Sequence, residues 1–324
     1  MKSLNHTTKS TEILIWRTVS EEQTEQNNCI IFTVSRSYGG IFYDRYCWSD
    51  YSITFCLWWF ALSGGNLFLI FAPWHEFLII AGAALGGLIV KTSPRTLKLI
   101  IKQIKNTFKG QLPNKQLYIE TLTVFQVLSK IARREGLIVL EKHINDIENS
   151  AAFSKSPMIL SRPDLLNFIV DNLKLILLGI TPEELEYIID TDIETAHEEQ
   201  SAPQQILANT ADALPGLGIV AAVLGIIKTM ASISEGPEVV GEKVAGALVG
   251  TFLGVLLSYG FVGPLATNIE MANIEEQRVL QVLKQGLMNL ARGANPRIGA
   301  DYSRHAIYTE QRPTSEELEV IFKE

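Results

Sequence analysis

The residue that could most directly take part in chemistry is a single threonine in an apolar, glycine-rich segment. Thr251 lies within Ala245–Pro264, whose sequence AGALVGTFLGVLLSYGFVGP carries no charge. A threonine in a membrane helix can bond its own backbone one turn back, or its hydroxyl can line a path for an ion. The residue types alone leave both interpretations open.

Asp, Glu and His are absent from the two apolar segments nearest Thr251. A proton path normally needs a titratable group of this kind, yet residues 213–233 and 244–269 contain no Asp, Glu or His. If this region conducts an ion, the carboxylate has to come from another chain. The sequence also shows no phosphate-binding glycine loop, no metal-ligand spacing and no nucleophile–base arrangement. We therefore expect neither an enzyme nor a cofactor or metal.

Small residues and prolines surround the threonine at regular positions. Gly246, Gly250 and Gly254 repeat every four residues, a spacing that lets helix backbones approach closely in lipid. This predicts a multi-helix, oligomeric bundle. Pro215 and Pro264 lie within the same apolar regions. Prolines of this kind are more often tolerated kinks than functional hinges, and the residue types do not decide between the two.

The composition indicates a membrane protein. The chain has 324 residues, 47% of them hydrophobic, and a net charge of −7, which argues against nucleic acid as a partner. The apolar residues fall in blocks. These blocks predict four membrane helices, over 51–73, 77–90, 213–233 and 244–269, with the first block broken by a turn at 63–66. The predicted fold is all-α and polytopic: four transmembrane helices in two hairpins, with a helical cytoplasmic domain between spans 2 and 3.

Charge sets the predicted orientation. Residues 91–115 contain seven Lys or Arg and no acid, which places this segment in the cytoplasm. Both hairpin turns then lie outside, and both termini are cytoplasmic. The predicted divisions are an atypical N-terminal segment (1–50), the first transmembrane hairpin (51–90), the cytoplasmic domain (91–212), the second transmembrane hairpin (213–269) and a cytoplasmic C-terminal helical tail (270–324).

Local signals predict helix ends in the cytoplasmic parts. Thr181-Pro182-Glu183-Glu184 and Thr314-Ser315-Glu316-Glu317 each have the pattern of a capping box that starts a helix. Gly179 suits the end of the helix before the first of these. A helix that continues from the last span is predicted by leucines at helical spacing, namely Leu280, Leu283, Leu287 and Leu290.

The last two spans resemble those of the MotA family of flagellar motor stator subunits. The similar segments are DALPGLGIVAAVLGIIKTM (212–230) and AGALVGTFLGVLLSYGFVGPLAT (245–267). The family pattern A-L-x-G-T-F-x-G-x-L, followed by seven residues and Pro, is met in full by Ala247–Pro264. The resemblance continues through RREGLIVLEKHINDIENS, LNFIVDNLKL and RPTSEELE, and it covers roughly residues 61–324.

The resemblance implies a role for each candidate residue. MotA subunits form a ring, a pentamer in the family, around two copies of MotB, which supplies the proton-carrying aspartate and anchors to peptidoglycan. Thr251 would lie near that aspartate. Pro215 and Pro264 would couple ion passage to movement, and Arg133 and Glu141 would engage the rotor protein FliG.

The resemblance also implies the coupling ion and the location. Sodium-driven relatives carry a threonine where this chain has Ala222, so protons are favoured over sodium in the bacterial inner membrane. The alternatives are an energy-transducing channel subunit like ExbB or TolQ, and an inactive membrane scaffold. A secondary transporter would need binding groups at mid-membrane or inverted repeats, and the sequence shows neither.

The N-terminus departs from the family. Its first span should end near Leu62, but the preceding window contains Asp44, Arg45 and Asp50, and charges within a bilayer are costly. The uncharged remainder, Tyr51–Leu62, would span only about 18 Å as a helix. We hypothesise that residues 1–59 derive from a misread or frameshifted gene start, with family sequence resuming near Trp59–Phe60.

Overall fold

The computed structural model of the chain describes most of the sequence after the predicted first span. The described residues are 55, 58–64, 74–109, 112–147, 150–231 and 233–323. The hypothesis of a misread start and most of the predicted first span therefore lie outside the described residues. Of the predicted turn, Ser63 and Gly64 are described, as a turn after a helical stretch over 58–62.

Within the described ranges every regular element is helical, which confirms the predicted all-α class. In chain order the helices are α1 (Trp74–Lys91), α2 (Pro94–Lys109), α3 (Lys115–Glu135), α4 (Leu140–Asn145), α5 (Pro157–Leu160), α6 (Pro163–Leu177), α7 (Pro182–Met230), α8 (Pro237–Leu257), α9 (Gly263–Ala291), α10 (Pro296–His305) and α11 (Ser315–Lys323). Short 3-10 turns lie at Leu137–Val139 and Ile233–Glu235, and a π-helical segment, Ser258–Val262, joins α8 to α9.

Among the described residues, three helical segments are long and apolar enough to cross a membrane. They are α1, α7 and the continuous run Pro237–Ala291. They contain the predicted second and fourth spans and all but the last three residues of the third. The count of four spans and the cytoplasmic placement of both termini stay predictions.

Helix α7 connects the cytoplasmic and membrane parts without a break. It has 49 residues, which makes it about 74 Å long at 1.5 Å per residue. It runs straight through the predicted boundary between residues 212 and 213. Pro203 and Pro215 lie inside it, although each removes a backbone hydrogen bond. Packing of α7 against α1, α8 and α9 offsets that loss, a compensation that the sequence pattern does not reveal.

The turn between α7 and α8 is shorter than the predicted linker, Ser234–Lys243. Gly236 adopts φ 109°, and Pro237 takes the first helical position of α8. A glycine with positive φ followed by proline starts a helix readily. Most of the polar linker is therefore the first two turns of α8.

The predicted helix signals of the cytoplasmic part are confirmed. The Thr181 hydroxyl accepts from the backbone N–H of Glu184, whose carboxylate accepts from the backbone N–H of Thr181. Thr314 and Glu317 make the same reciprocal pair at α11. Gly179 ends the preceding helix with φ 85°.

One apolar core joins the helices of the predicted cytoplasmic domain with the second half of α9, and we call these packed helices the cytoplasmic unit after that prediction. Its buried side chains come mainly from α3, α6, α7 and α9. The predicted leucine stripe of α9 faces it, with Leu283, Leu287 and Leu290 buried and Leu280 partly buried. The cytoplasmic ends of both long helices are therefore held in a single packed unit.

Ion pairs also join α9 to α7 and to the residue before α6. Lys284 Nζ lies 2.7 Å from Asp190 Oδ2 and 3.2 Å from Glu186 Oε1, both on α7. Burial alone would lower the pKa of Lys284, but hydrogen bonds to Asp190 and Glu186 hold that pKa above its usual range. Arg162, just before α6, lies 2.5 Å from Glu276 on α9.

Gly286 tests how tightly this core is packed. A Cβ at this position of α9 would overlap the ring of Phe125 on α3, which is buried. We predict that Gly286→Ala lowers the free energy of unfolding by about 1–3 kcal/mol through overpacking, measured as a fall in the Tm of the purified full chain. The control is Gly87→Ala, whose Cβ meets nothing within 4 Å. Adding Phe125→Leu should restore part of the loss, and an unchanged Tm for Gly286→Ala would contradict the packing argument.

Candidate ion path and exposed charged face

Helices α7 and α8 touch backbone to backbone at two glycines. A Cβ on Gly254 would lie 2.7 Å from the Leu214 carbonyl oxygen and 2.8 Å from Gly218 Cα. A Cβ on Gly218 would lie 2.8 Å from the Gly250 carbonyl oxygen. Any larger residue at these positions would force the helices apart. Of the predicted packing glycines, Gly250 and Gly254 thus lie in this contact, whereas Gly246 is half-buried.

The contact at Gly250 also places two predicted site residues, Thr251 and Ala222, at a similar height along the α7–α8 helix pair. A Cβ on Gly250 would lie 3.4 Å from both Ala221 Cβ and the backbone nitrogen of Ala222. Because Thr251 follows Gly250 directly, Thr251 and Ala222 lie close together along the helix pair. Ala222 is buried and Thr251 is half-buried.

The Thr251 hydroxyl is not used within its own helix. Thr229, by contrast, donates to the Gly225 carbonyl oxygen at 2.8 Å. Among the hydrogen bonds of the described residues, none involves the Thr251 hydroxyl. The described hydrogen bonds therefore include no bond from Thr251 to its own helix, and a role for the hydroxyl in an ion path stays a prediction.

A π-helical segment precedes the second predicted coupling proline. At its end the Gly263 N–H donates to the Ser258 carbonyl oxygen, five residues back. Pro264 has no N–H with which to continue an α-helical ladder, and the wider turn accommodates this defect. The segment therefore marks a departure from α-helical geometry within the predicted fourth span.

The surroundings of the two predicted coupling prolines are in contact. Val262, two residues before Pro264, packs against an apolar cluster that contains Leu214. Leu214 directly precedes Pro215 in α7. A change of backbone geometry at one proline would therefore be felt at the other.

Glu76 is a site residue that the sequence analysis missed. It lies in the first turn of α1 and is only 7% exposed. Its Oε1 lies 3.0 Å from where a Cβ of Gly225 would stand, and its Oε2 lies 3.1 Å from that of Gly250. Within the described part of the chain, Oε2 has no hydrogen-bond partner. The predicted third and fourth spans contain no acid, whereas α1 supplies a carboxylate to the same hairpin.

A sequence signal for Glu76 did exist. It is an acid two residues after Trp74, at the start of a span, where intramembrane carboxylates deserve a functional hypothesis. Its contact with glycines of two other helices depends on the tertiary packing and has no counterpart in local sequence.

Arg133 and Glu141 lie apart from the hairpin, on an exposed corner of the cytoplasmic unit. Arg133 is in the last turn of α3 and Glu141 in the first turn of α4. Both are exposed, and neither forms an ion pair with another described residue. Between them Leu137 is 40% and Ile138 81% exposed. Exposed apolar residues flanked by unpaired charges suit a protein-binding surface.

The candidate site contains no metal centre. Over the described residues, no group of three or more His, Cys, Asp or Glu side chains could hold a metal ion. The fold and site together define a helical membrane protein, with a tightly packed apolar hairpin that continues into a second helical unit with its own core.

Comparisons with known proteins agree with this class. Residues 52–136 match the family model for the motility protein A N-terminal region, and residues 164–311 match the MotA/TolQ/ExbB proton channel family. Motility protein A of Salmonella typhimurium is 36% identical over 80% of this chain and 88% of its own length. The chain therefore belongs to the motility protein A family, within the wider MotA/TolQ/ExbB proton channel family.

Solved structures share the fold. The structure of C. jejuni MotAB aligns with a TM-score of 0.68 at 23% identity, covering 82% of this chain and 96% of that one. The flagellar MotAB stator complex from Bacillus subtilis aligns with a TM-score of 0.66 at 21% identity, covering 82% of this chain and 95% of that one.

The first family match begins at residue 52, which is upstream of Trp59–Phe60, where family sequence was predicted to resume.

Three glycines of α8 form a graded test of the helix contact. A Cβ on Gly254 meets backbone atoms, one on Gly250 meets the end of the Glu76 side chain, and one on Gly241 meets nothing within 4 Å. We predict that Gly254→Ala lowers the Tm of the full chain in detergent most, Gly250→Ala less and Gly241→Ala least, because backbone cannot move aside as a side-chain end can. The expected loss for Gly254→Ala is about 1–3 kcal/mol. A reversed order would show that α7 and α8 are not in backbone contact.

Proposed function

We propose that this protein is a flagellar motor stator subunit of the bacterial inner membrane that conducts protons together with MotB and converts their flow into torque. The observation that carries the proposal is the unbonded Thr251 hydroxyl beside the closest contact of two membrane helices. It occurs in a chain of the motility protein A family. MotB would supply the proton-carrying aspartate, as the family resemblance of residues 212–267 implies; the predicted third and fourth spans themselves contain no acid.

The assembly in this proposal is a pentamer around two copies of MotB. Large apolar side chains of the membrane helices are exposed in the single chain, including Ile219 and Leu248, at 55% and 60%. Such surfaces require lipid, a neighbouring subunit or MotB. The family resemblance of residues 212–267 supports neighbouring subunits and MotB for part of this surface.

Torque would pass from the hairpin to the cytoplasmic unit along continuous helices. Each proton supplies about 2.3 kcal/mol per 100 mV of membrane potential, which suits small repeated steps. Pro215 and Pro264, whose surroundings touch, would flex when the partner's aspartate changes charge. Arg133 and Glu141 on the exposed corner would then move against FliG of the rotor.

Protons rather than sodium would be the coupling ion. Sodium prefers oxygen ligands, and Ala222 offers no side-chain oxygen beside Thr251. The proposal also keeps four spans in two hairpins, with both termini in the cytoplasm. An ExbB-like or TolQ-like channel subunit and an inactive scaffold are outcomes of the experiment below.

The test is swimming by cells that lack stators, supplied with this full chain and its MotB partner. We expect equal swimming in sodium-rich and sodium-free medium. Thr251→Val should abolish swimming at an unchanged membrane level, because it keeps the shape and removes the hydroxyl. Thr251→Ser should retain most of the speed.

Other outcomes would identify the error. Swimming only in sodium would overturn the Ala222 argument. Swimming by Thr251→Val at full speed would remove the hydroxyl from the mechanism. Absence of swimming with the unaltered chain present in the membrane, and with a family first span grafted before Ser63, would favour the scaffold.

The exposed corner makes a separate prediction. Arg133→Glu and Glu141→Lys should each reduce swimming several-fold through lost charge complementarity with the rotor, without changing the amount of protein in the membrane. Arg297→Glu is the matched control, because Arg297 is an exposed arginine on α10. Partial recovery by reversed charges on FliG would support direct contact. A defect in Arg297→Glu equal to that in Arg133→Glu, which changes the net charge by the same amount, would argue that the loss is not specific to this corner.

A further inference from the structure

Helix α2 carries a basic face that the proposed function does not use. Residues 91–115 contain seven Lys or Arg and no acid. The side chains of Lys98, Lys102 and Lys105 are exposed. Within the described parts of the chain, none of the three forms an ion pair. Uncompensated positive charges concentrated on one helix indicate an anionic partner.

The contacts of α2 place it where the chain leaves the membrane. Ile104 packs in an apolar cluster with Leu207 of α7 and Ile269 of α9. Ile269 is the last residue of the uncharged fourth span, since Glu270 follows it. The second half of α2 therefore lies at the depth of the phospholipid headgroups.

The inner face of α2 is already occupied. Arg95 pairs with Glu199 at 2.9 Å, and Gln103 Nε2 donates to the Gln200 carbonyl oxygen at 2.8 Å. These α7 residues precede Ala213, the start of the predicted third span, by at most about 20 Å of helix at 1.5 Å per residue. The helix is thus fixed to α7 on one side and presents the lysines on the other.

Apolar side chains accompany the lysines. Ile101 is 46% and Phe108 63% exposed. Positions 98, 101, 105 and 108 recur every three to four residues, so they share one face of the helix. A face that mixes lysines with exposed apolar residues is typical of helices that lie in the membrane interface.

We propose that the face of α2 formed by Lys98, Ile101, Lys102 and Lys105 binds anionic phospholipid of the cytoplasmic leaflet. The lysine ammonium groups contact the headgroup phosphates, and Ile101 reaches the acyl boundary. Position favours lipid over a soluble anion, because the second half of α2, which carries Lys102 and Lys105, packs beside the end of the fourth span. This inference does not rest on torque generation and would hold for an inactive scaffold.

The experiment uses the full chain purified with MotB and reconstituted in phosphatidylcholine vesicles. Trace spin-labelled phosphatidylglycerol or phosphatidylcholine reports, by electron spin resonance, the fraction of each lipid held at the protein surface. We expect a preference for phosphatidylglycerol of about threefold or more at low salt, falling with added salt. The triple variant Lys98→Gln, Lys102→Gln, Lys105→Gln should bring the ratio close to one.

A second triple variant controls for net charge. Lys142→Gln, Lys155→Gln and Arg297→Gln remove three exposed positive charges elsewhere in the cytoplasmic unit, and they should leave the preference unchanged. Equal loss in both triple variants would overturn the assignment to α2. Retention of the preference by the α2 variant would also overturn the assignment. A smaller particle mass of the α2 variant with an unchanged lipid ratio would overturn it too, because this face would then be a contact between copies.

Discussion

The backbone contact of Gly218 with Gly254 sets the geometry on which the candidate site depends. With any side chain at either position α7 and α8 would separate, because the atoms already lie at the limit of approach. Their closeness lets Gly250 rest on Ala221, and this fixes Thr251 beside Ala222. It also aligns Leu214 with the π-helical segment, so that the two prolines share one neighbourhood. The positions of the candidate site residues thus depend on the contact of Gly218 with Gly254, which itself contains no functional side chain.

In the proposed function, force would pass through the same pair of helices. Helix α7 continues from the hairpin into the cytoplasmic core, and α9 continues from the π-helical segment into that core. Lys284 clamps the two helices together at Asp190 and Glu186. In the proposed function, a change of angle at the prolines would move the cytoplasmic unit as one body, because its helices are held together by both apolar packing and ion pairs. In the proposed function, the π-helical segment Ser258–Val262 would provide flexibility at the prolines, and the packed core would provide stiffness in the cytoplasmic unit.

Local signals predicted what local physics determines. The capping boxes at Thr181 and Thr314 and the leucine stripe of α9 follow from hydrogen bonds and spacing within one helix, and all were confirmed. The continuity of α7 through residue 212 was not predicted, because its two prolines are compensated by neighbouring helices. The π-helical turn and the short α7–α8 connection were missed for the same reason, since each depends on packing partners distant in sequence. The family resemblance supplied the roles of Arg133 and Glu141, whereas the structure shows only that they are exposed together.

Glu76 changes the meaning of the glycine stripe. A repeat of small residues was interpreted as a means of bringing two helices together, and Gly254 serves that purpose. Gly250 and Gly225 do more, because the space that their side chains would fill is occupied by the Glu76 carboxylate. These glycines therefore leave room for a polar side chain from a third helix. One of them, Gly250, is the residue directly before Thr251. The first turn of α1 therefore adds the Glu76 carboxylate to a hairpin whose two predicted spans contain no acid.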